Sequence, residues 1–261
     1  MPTAEILTIG SELIEGLRTN TNATWLARGL TGIGIRVTQI TSVGDVVEDA
    51  AAAVRAALAR SPDVLIITGG LGPTIDDRTS EALARATRRK LALNPAALEI
   101  VKLSYGRMHA RGLVPRKGLS SARRKMALIP DGATALPNPV GTAPGIQLVQ
   151  GKTLMICLPG VPAEMRAIFT KYVRDDLVKL GRQARHRVVI DVRGIDEATL
   201  APFLERLAKK FRRLDVRSYP SGKGIKGRIR VMLVASTVAE AKGAENTFNR
   251  WLNKLRLSSS R

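Results

Sequence analysis

One cysteine (Cys157), two histidines and nine aromatic residues are all that this 261-residue chain has of those types. The lone cysteine excludes an internal disulfide framework and suits a reducing, cytoplasmic setting. Its place in an apolar run, with no histidine nearby, predicts a buried and inert thiol. His109 and His186 lie far apart among polar and basic residues, so no Cys/His metal site is expected. Nine aromatics offer few platforms on which nucleic-acid bases could stack. No apolar run approaches the roughly 18–20 residues of a membrane span, and Met1 to Gly10 lacks the basic start of a secretory signal. No membrane partner is expected.

Positive charge is abundant. Forty-two Lys and Arg oppose 22 Asp and Glu, a formal net charge of +20, and 44% of the residues are hydrophobic. This is a folded chain of one to two domains, and its charge points to an anionic partner. Residues 1–80 nevertheless carry a net −3, whereas 81–180 carry +11 and 181–261 carry +12. Nucleic acid is therefore possible but not favoured, and a solvated basic surface explains the excess equally well.

The first two-thirds alternates strand and helix. Apolar runs at Ala4–Ile9, Ile35–Val43 and Asp63–Thr68 read as strands. Helical patterns follow each of them, at Thr21–Leu30, Glu48–Arg60 and Asp77–Arg89. Such β-α repetition with buried strands predicts a parallel sheet covered on both faces. Residues 94–128 read as mainly helical, Pro130–Pro144 as an ordered loop, and Ile146–Val149 with Thr153–Leu158 as a strand pair. Met165, Ile168, Phe169 and Tyr172 mark one amphipathic helix. A boundary near Gly181 divides an α/β domain, 1–180, from a small basic α+β domain, 181–261. The latter reads β-α-β-β-α with a Gly/Lys turn at Ser221–Gly227, and the chain is expected to fray from Ser258.

The richest stretch for chemistry is Gly69-Gly70-Leu71-Gly72-Pro73-Thr74-Ile75-Asp76-Asp77. It follows an apolar strand and opens a helix, so its glycines let backbone N–H groups approach an anion closely. It is neither a Walker A loop nor G-x-G-x-x-G. Asp76 and Asp77 suit a divalent cation shared with phosphate oxygens, although an Asp there also suits a helix cap. Glu12, Asp45 and Glu164 likewise follow strands, and parallel strand ends converge on one edge of a sheet. Taken singly, each of these acids fits a cap or a surface charge equally well.

Six motifs in order, from residue 4 to about 175, resemble one family. They are Ile9–Gly16, Asn20-Thr21-Asn22, Val43-Gly44-Asp45, Gly69–Thr79, Asn138–Gly145 and Leu158–Met165. The family is the molybdopterin-binding-like domain found at the N-terminus of CinA proteins and in animal flavin-adenine-dinucleotide synthases. The resemblance implies a three-layer α/β/α sandwich followed by the small α+β domain. It does not extend to the deamidase domain that ends CinA.

It further implies a divalent-metal-dependent (Mg²⁺, Co²⁺ or Mn²⁺) pyrophosphatase acting on a nucleotide diphosphate such as ADP-ribose. Asp45 and Asp77 would be catalytic, with Asp45, Asp76 and Asp77 holding metal. Gly10, Glu12, Asn20, Asn22, Gly69, Gly70, Gly72, Pro73, Thr74, Gly141, Thr142, Ala143, Pro144, Gly160 and Glu164 would bind a small anionic nucleotide or pterin. The alternatives are a molybdopterin-binding or adenylyl-transferring protein, and a non-catalytic nucleic-acid binder using the basic C-terminal region. A homo-oligomer is implied. The chain departs from the family at Ser120–Ala127, where an Arg-x-Gln-Ala-like pattern is replaced but Arg123, Arg124 and Lys125 supply charge, either near the diphosphate or on a solvated face. Gly224-Ile225-Lys226-Gly227 matches the GxxG of KH domains, but strands rather than helices are expected to flank it.

Overall fold

A computed structural model of the chain describes residues 1–116, 118–181, 186–221 and 228–258. They form two compact units, Met1–Arg182 and Gln183–Arg261. In the first, β1 (Thr3–Ile9), β2 (Arg36–Val43), β3 (Val64–Thr68) and β8 (Thr153–Leu158) run parallel. Antiparallel strands β7 (Gly145–Gln150) and β6 (Thr134–Leu136) extend the sheet to the order β2-β1-β3-β8-β7-β6.

Strand alternation decides what covers each face. Leu7, Ile9, Leu65 and Ile67 pack with Val54 of α3 (Val47–Arg60), Leu83 of α4 (Thr79–Thr87) and Val101 of α5 (Pro95–Ala110). Ala4, Ile6, Val64 and Ile66 pack with Leu26 of α2 (Thr21–Gly32), Met165 of α7 (Pro162–Ile168) and Leu177 of α8 (Arg174–Leu180). The result is the three-layer α/β/α sandwich expected from the alternating pattern. Because β1 pairs with β2 on one side and β3 on the other, the chain reverses its winding there, and the strand ends on either side leave a crevice.

Four local expectations need correction. The helix after the Gly-Gly loop starts at Thr79, not Asp77. Pro130–Pro144 is not all loop, since β6 lies within it and pairs with β7. Around the basic helical stretch, β4 (Leu91–Leu93) and β5 (Leu128–Pro130) form a two-stranded ribbon, while α6 spans only Ser121–Lys125. The single helix expected through Met165–Tyr172 is interrupted by a π-helical turn, Phe169–Val173, where Phe169 and Val173 turn into the core.

The second unit contains β9 (His186–Arg193), α9 (Glu197–Lys210), β10 (Asp215–Ser221), β11 (Arg228–Ala235) and α10 (Val238–Ser258). Its antiparallel sheet has the order β10-β11-β9. Val192, Ile229, Val231 and Leu233 pack with Leu200 and Phe203 of α9 and Phe248 of α10. The Gly/Lys turn, the GxxG at 224–227 and the expected frayed end at 259–261 lie outside the described residues, although β10 and β11 do flank the GxxG. Among the described residues, no helix is long and apolar enough to cross a membrane.

Candidate functional site

The crevice begins with a backbone contact. At Gly69, φ is +113° and a Cβ would lie 2.0 Å from the Ile9 carbonyl oxygen, so only glycine lets the loop after β3 touch the end of β1. Gly70 is as constrained, because a Cβ there would meet the Thr79 hydroxyl at 2.3 Å. Thr79, 1% exposed, donates its hydroxyl to the Gly69 carbonyl (2.8 Å) and its amide to the Gly70 carbonyl (3.0 Å). Sequence reading missed Thr79, because nothing local distinguishes this clasp from an ordinary helix start.

The loop after β8 is stitched on by side chains. Thr68 donates to the Pro159 carbonyl (2.9 Å), and the Asn22 amide to the Gly160 carbonyl (2.8 Å). Asn20 caps α2, accepting from the Ala23 amide (3.0 Å), and donates to the Thr8 hydroxyl (2.9 Å). Thus Asn20 and Asn22, expected as ligand contacts, spend these groups on architecture.

These loops enclose a cavity of about 470 Å³. Its lining includes Gly10, Glu12 and Asp45 at the ends of β1 and β2, and Gly69, Gly70, Gly72, Pro73, Asp76 and Asp77 after β3. Thr142, Ala143, Gly160 and Glu164 line it as well. Asn20 and Asn22 line a smaller neighbouring cavity, and Thr74 lines another of about 430 Å³ beside Ile75 and Lys125. Gly141 and Pro144 are in the lining of none of these three cavities. Arg18, which the sequence did not single out, lines both the main and the smaller cavity.

Each acid has a distinct setting. Asp45 accepts from the Ser11 amide at 2.8 Å and so fixes the turn after β1. Asp77 caps no helix; its Oδ2 accepts from the Thr74 amide (2.9 Å) and hydroxyl. Asp76 is exposed, and the Thr74 hydroxyl, its own backbone amide and the Lys125 charge hold it below the usual carboxylate range. Lys125 donates to the Thr74 carbonyl.

Glu164 behaves oppositely. Burial pushes its pKa up, against the hydrogen bonds from the Asn138 side chain and the Thr142 amide. Asn138, 2% exposed, also donates to the Ala143 carbonyl (2.8 Å) and accepts from the Gly141 amide (2.7 Å). One side chain therefore shapes the whole 138–143 loop. Gly141 lies under the Glu164 carboxyl, where a Cβ would come within 2.0 Å of Cδ.

Glu12, Asp45, Asp76, Asp77 and Glu164 give the lining five carboxyl groups against one arginine, Arg18. An anionic ligand would meet repulsion there unless a cation came with it. Among the described residues, no three or more His, Cys, Asp or Glu form a metal-binding group, so Asp45, Asp76 and Asp77 are not a preformed cage. Carboxylates sharing one cavity lining do suit a hard divalent cation that takes its remaining ligands from phosphate and water.

Other candidates are placed elsewhere. Arg123 stacks on Tyr105 (3.8 Å) and donates to the carbonyls of Arg116 and Gly118, while Arg124 is exposed. Cys157 is buried in β8, and burial raises its pKa far above the ordinary thiol value, as expected for an inert thiol.

Residues 5–179 match the family model described as "Probable molybdopterin binding domain". A protein of Pyrobaculum calidifontis is 43% identical over 248 residues, covering 94% of this chain and 92% of its own. One of Aeropyrum pernix is 43% identical over 245 residues, covering 92% and 88%. The crystal structure of CinA from Thermoplasma acidophilum, a protein of unknown function, is 37% identical with a TM-score of 0.60, covering 67% of this chain and 98% of its own. With its Gly-Gly loop, its carboxylate-lined crevice and these matches, the chain belongs to the molybdopterin-binding-domain family and is similar to CinA.

Proposed function

We propose that the crevice binds a nucleotide diphosphate such as ADP-ribose and hydrolyses its phosphoanhydride bond with a divalent metal ion. The observation carrying this reading is the five carboxyl groups set around a glycine-lined floor in one 470 Å³ cavity. Main chain at Gly69, Gly70 and Gly160 lines the cavity, where phosphate oxygens could approach its N–H groups. Asp45, Asp76 and Asp77 would hold the ion, which when bound would neutralise phosphate charge and lower the pKa of water. Asp77 is braced by Thr74 and Asp45 by Ser11, and they would draw together around an arriving ion, since they form no preformed cage. Burial raises the pKa of Glu164 whereas hydrogen bonds lower that of Asp76, which supports Glu164 rather than Asp76 as the group that would carry a proton.

The test is AMP release from ADP-ribose with Mg²⁺, Co²⁺ or Mn²⁺. Asp77→Asn and Asp45→Asn should each lower kcat by about 100-fold or more with melting temperature preserved. Unchanged turnover in either would remove that residue from the mechanism, and no turnover with any metal or dinucleotide would overturn the hydrolase reading. A second reading, molybdopterin binding or adenylyl transfer with a pterin ligand, is favoured by the description of the matched family. Titration of the protein with molybdopterin, followed by pterin fluorescence, separates the two. The active form is proposed to be a cytoplasmic homo-oligomer.

A further inference from the structure

The sheet of the C-terminal unit has two unlike faces. One is buried under α9 and α10. On the other, alternate residues point outward, and the strand register places them in rows. Arg193 lies opposite Arg228; Asp191, Arg230 and Tyr219 form the next row; then come Val189, Met232 and Arg217; Arg187 sits opposite Val234. Arg187, Arg193, Arg217, Arg230 and Tyr219 are exposed.

Two acids share this face, and each is engaged by arginine. Asp191 accepts from Arg230 at 3.0 Å and lies 3.7 Å from Arg228, while Asp215 pairs with Arg217 at 2.6 Å. Five arginines against two aspartates leave an excess of three positive charges. Arg193 lies directly across from Arg228, so positive charge is concentrated at this end of the face around Asp191.

We propose that this face binds single-stranded nucleic acid. Its charge complements a phosphate backbone, and its arginine rows repeat every two residues, about 7 Å along the strands. Tyr219, 44% exposed between Arg217 and Arg230, offers a ring for a base to stack on, with Met232 and Val189 as apolar neighbours. Three strands are only about 10 Å across, which matches one nucleic-acid strand and not a duplex about twice that wide. This face uses none of the residues that line the carboxylate crevice, and the proposal does not depend on the hydrolase reading.

The experiment is fluorescence anisotropy of the full chain with labelled oligo(dT) and oligo(rU) of about 12 nucleotides, against a duplex of equal length. Single strands should bind at least about tenfold tighter than duplex at low salt, with affinity falling steeply as salt rises. Combining Arg187→Ala, Arg193→Ala and Arg217→Ala should lower affinity tenfold or more and flatten the log–log salt slope by about 2. Tyr219→Ala should weaken binding about fivefold or more, whereas Arg55→Ala, an exposed arginine of the N-terminal unit, should not. Photo-crosslinking of bromouracil-substituted RNA to the unaltered protein should map to the peptide carrying Tyr219, which keeps the test independent of variant folding. Equal affinity for duplex, full affinity in the triple variant, crosslinks confined to other segments, or binding only to acidic peptides or anionic vesicles would each overturn the proposal.

Discussion

The Asn138 amide donates to Glu164 Oε2 at 2.5 Å, joining the loop before β7 to the first turn of α7. This bond holds a half-buried carboxyl at the rim of the crevice in a setting that favours its protonated form.

The pH dependence of stability follows. Burial raises the folded-state pKa of Glu164 above its unfolded value, so between those two values the native state holds more protons. Its favourable contribution is complete below the ordinary glutamate value of about 4.3 and is lost as pH rises through the folded pKa. Glu164→Gln keeps the oxygen that accepts from Asn138 and removes the titration. Its melting temperature should exceed the parent's at about pH 7.5, with the gap closing near about pH 4. A gap that stays constant across thermal melts at both ends of that range would contradict this.

Glycine substitutions should divide sharply. Gly69→Ala sets a Cβ against backbone at 2.0 Å with φ at +113°, and a loss of about 3 kcal/mol or more is expected. Gly106 lies inside α5 with nothing within 4 Å of its would-be Cβ. Gly106→Ala should therefore stabilise by about 0.5–1 kcal/mol through helix propensity. Urea unfolding of the two variants checks the opposite signs.

Glu5 gives a third prediction. It is 4% exposed in the central strand β1, and Arg60 grips it bidentately at 2.7 and 2.8 Å. Because Arg60 is itself partly exposed, its removal should cost about 1–3 kcal/mol, less than breaking a fully buried pair. Glu5→Gln combined with Arg60→Ala should recover part of that loss, as no buried charge is left alone. No recovery in the double variant would show that the pair's charge is not what matters.

The sequence was legible where patterns are local. The run from Asp63 to Thr68 announces a buried strand, and the Gly-Gly that ends it announces the loop later found against β1. Convergence of Glu12, Asp45, Asp77 and Glu164 on one cavity follows from parallel topology alone. The illegible parts depend on distant partners. Leu91–Leu93 and Leu128–Pro130 are too short to show a strand period and become strands only by pairing with each other. Thr134–Leu136 lies in a Pro- and Gly-rich stretch and is recruited by β7. Asn20 and Asn22 look like ligand contacts because amides suit both tasks, and their bonds to Ala23, Thr8 and Gly160 show the architectural one, while Asn22 Oδ1 stays buried without a partner.

The contact between Gly69 and Ile9 also bears on how such proteins diversify. A floor built of main chain presents nearly the same hydrogen-bonding groups whatever the sequence, and mutation there finds little to exchange except the glycines that make it possible. Ligand identity is therefore freer to drift at the rim, through Arg18, Thr142 and Val161. On the proposed reading, proteins sharing this floor would keep one way of seating a phosphate while parting company over what the phosphate is attached to.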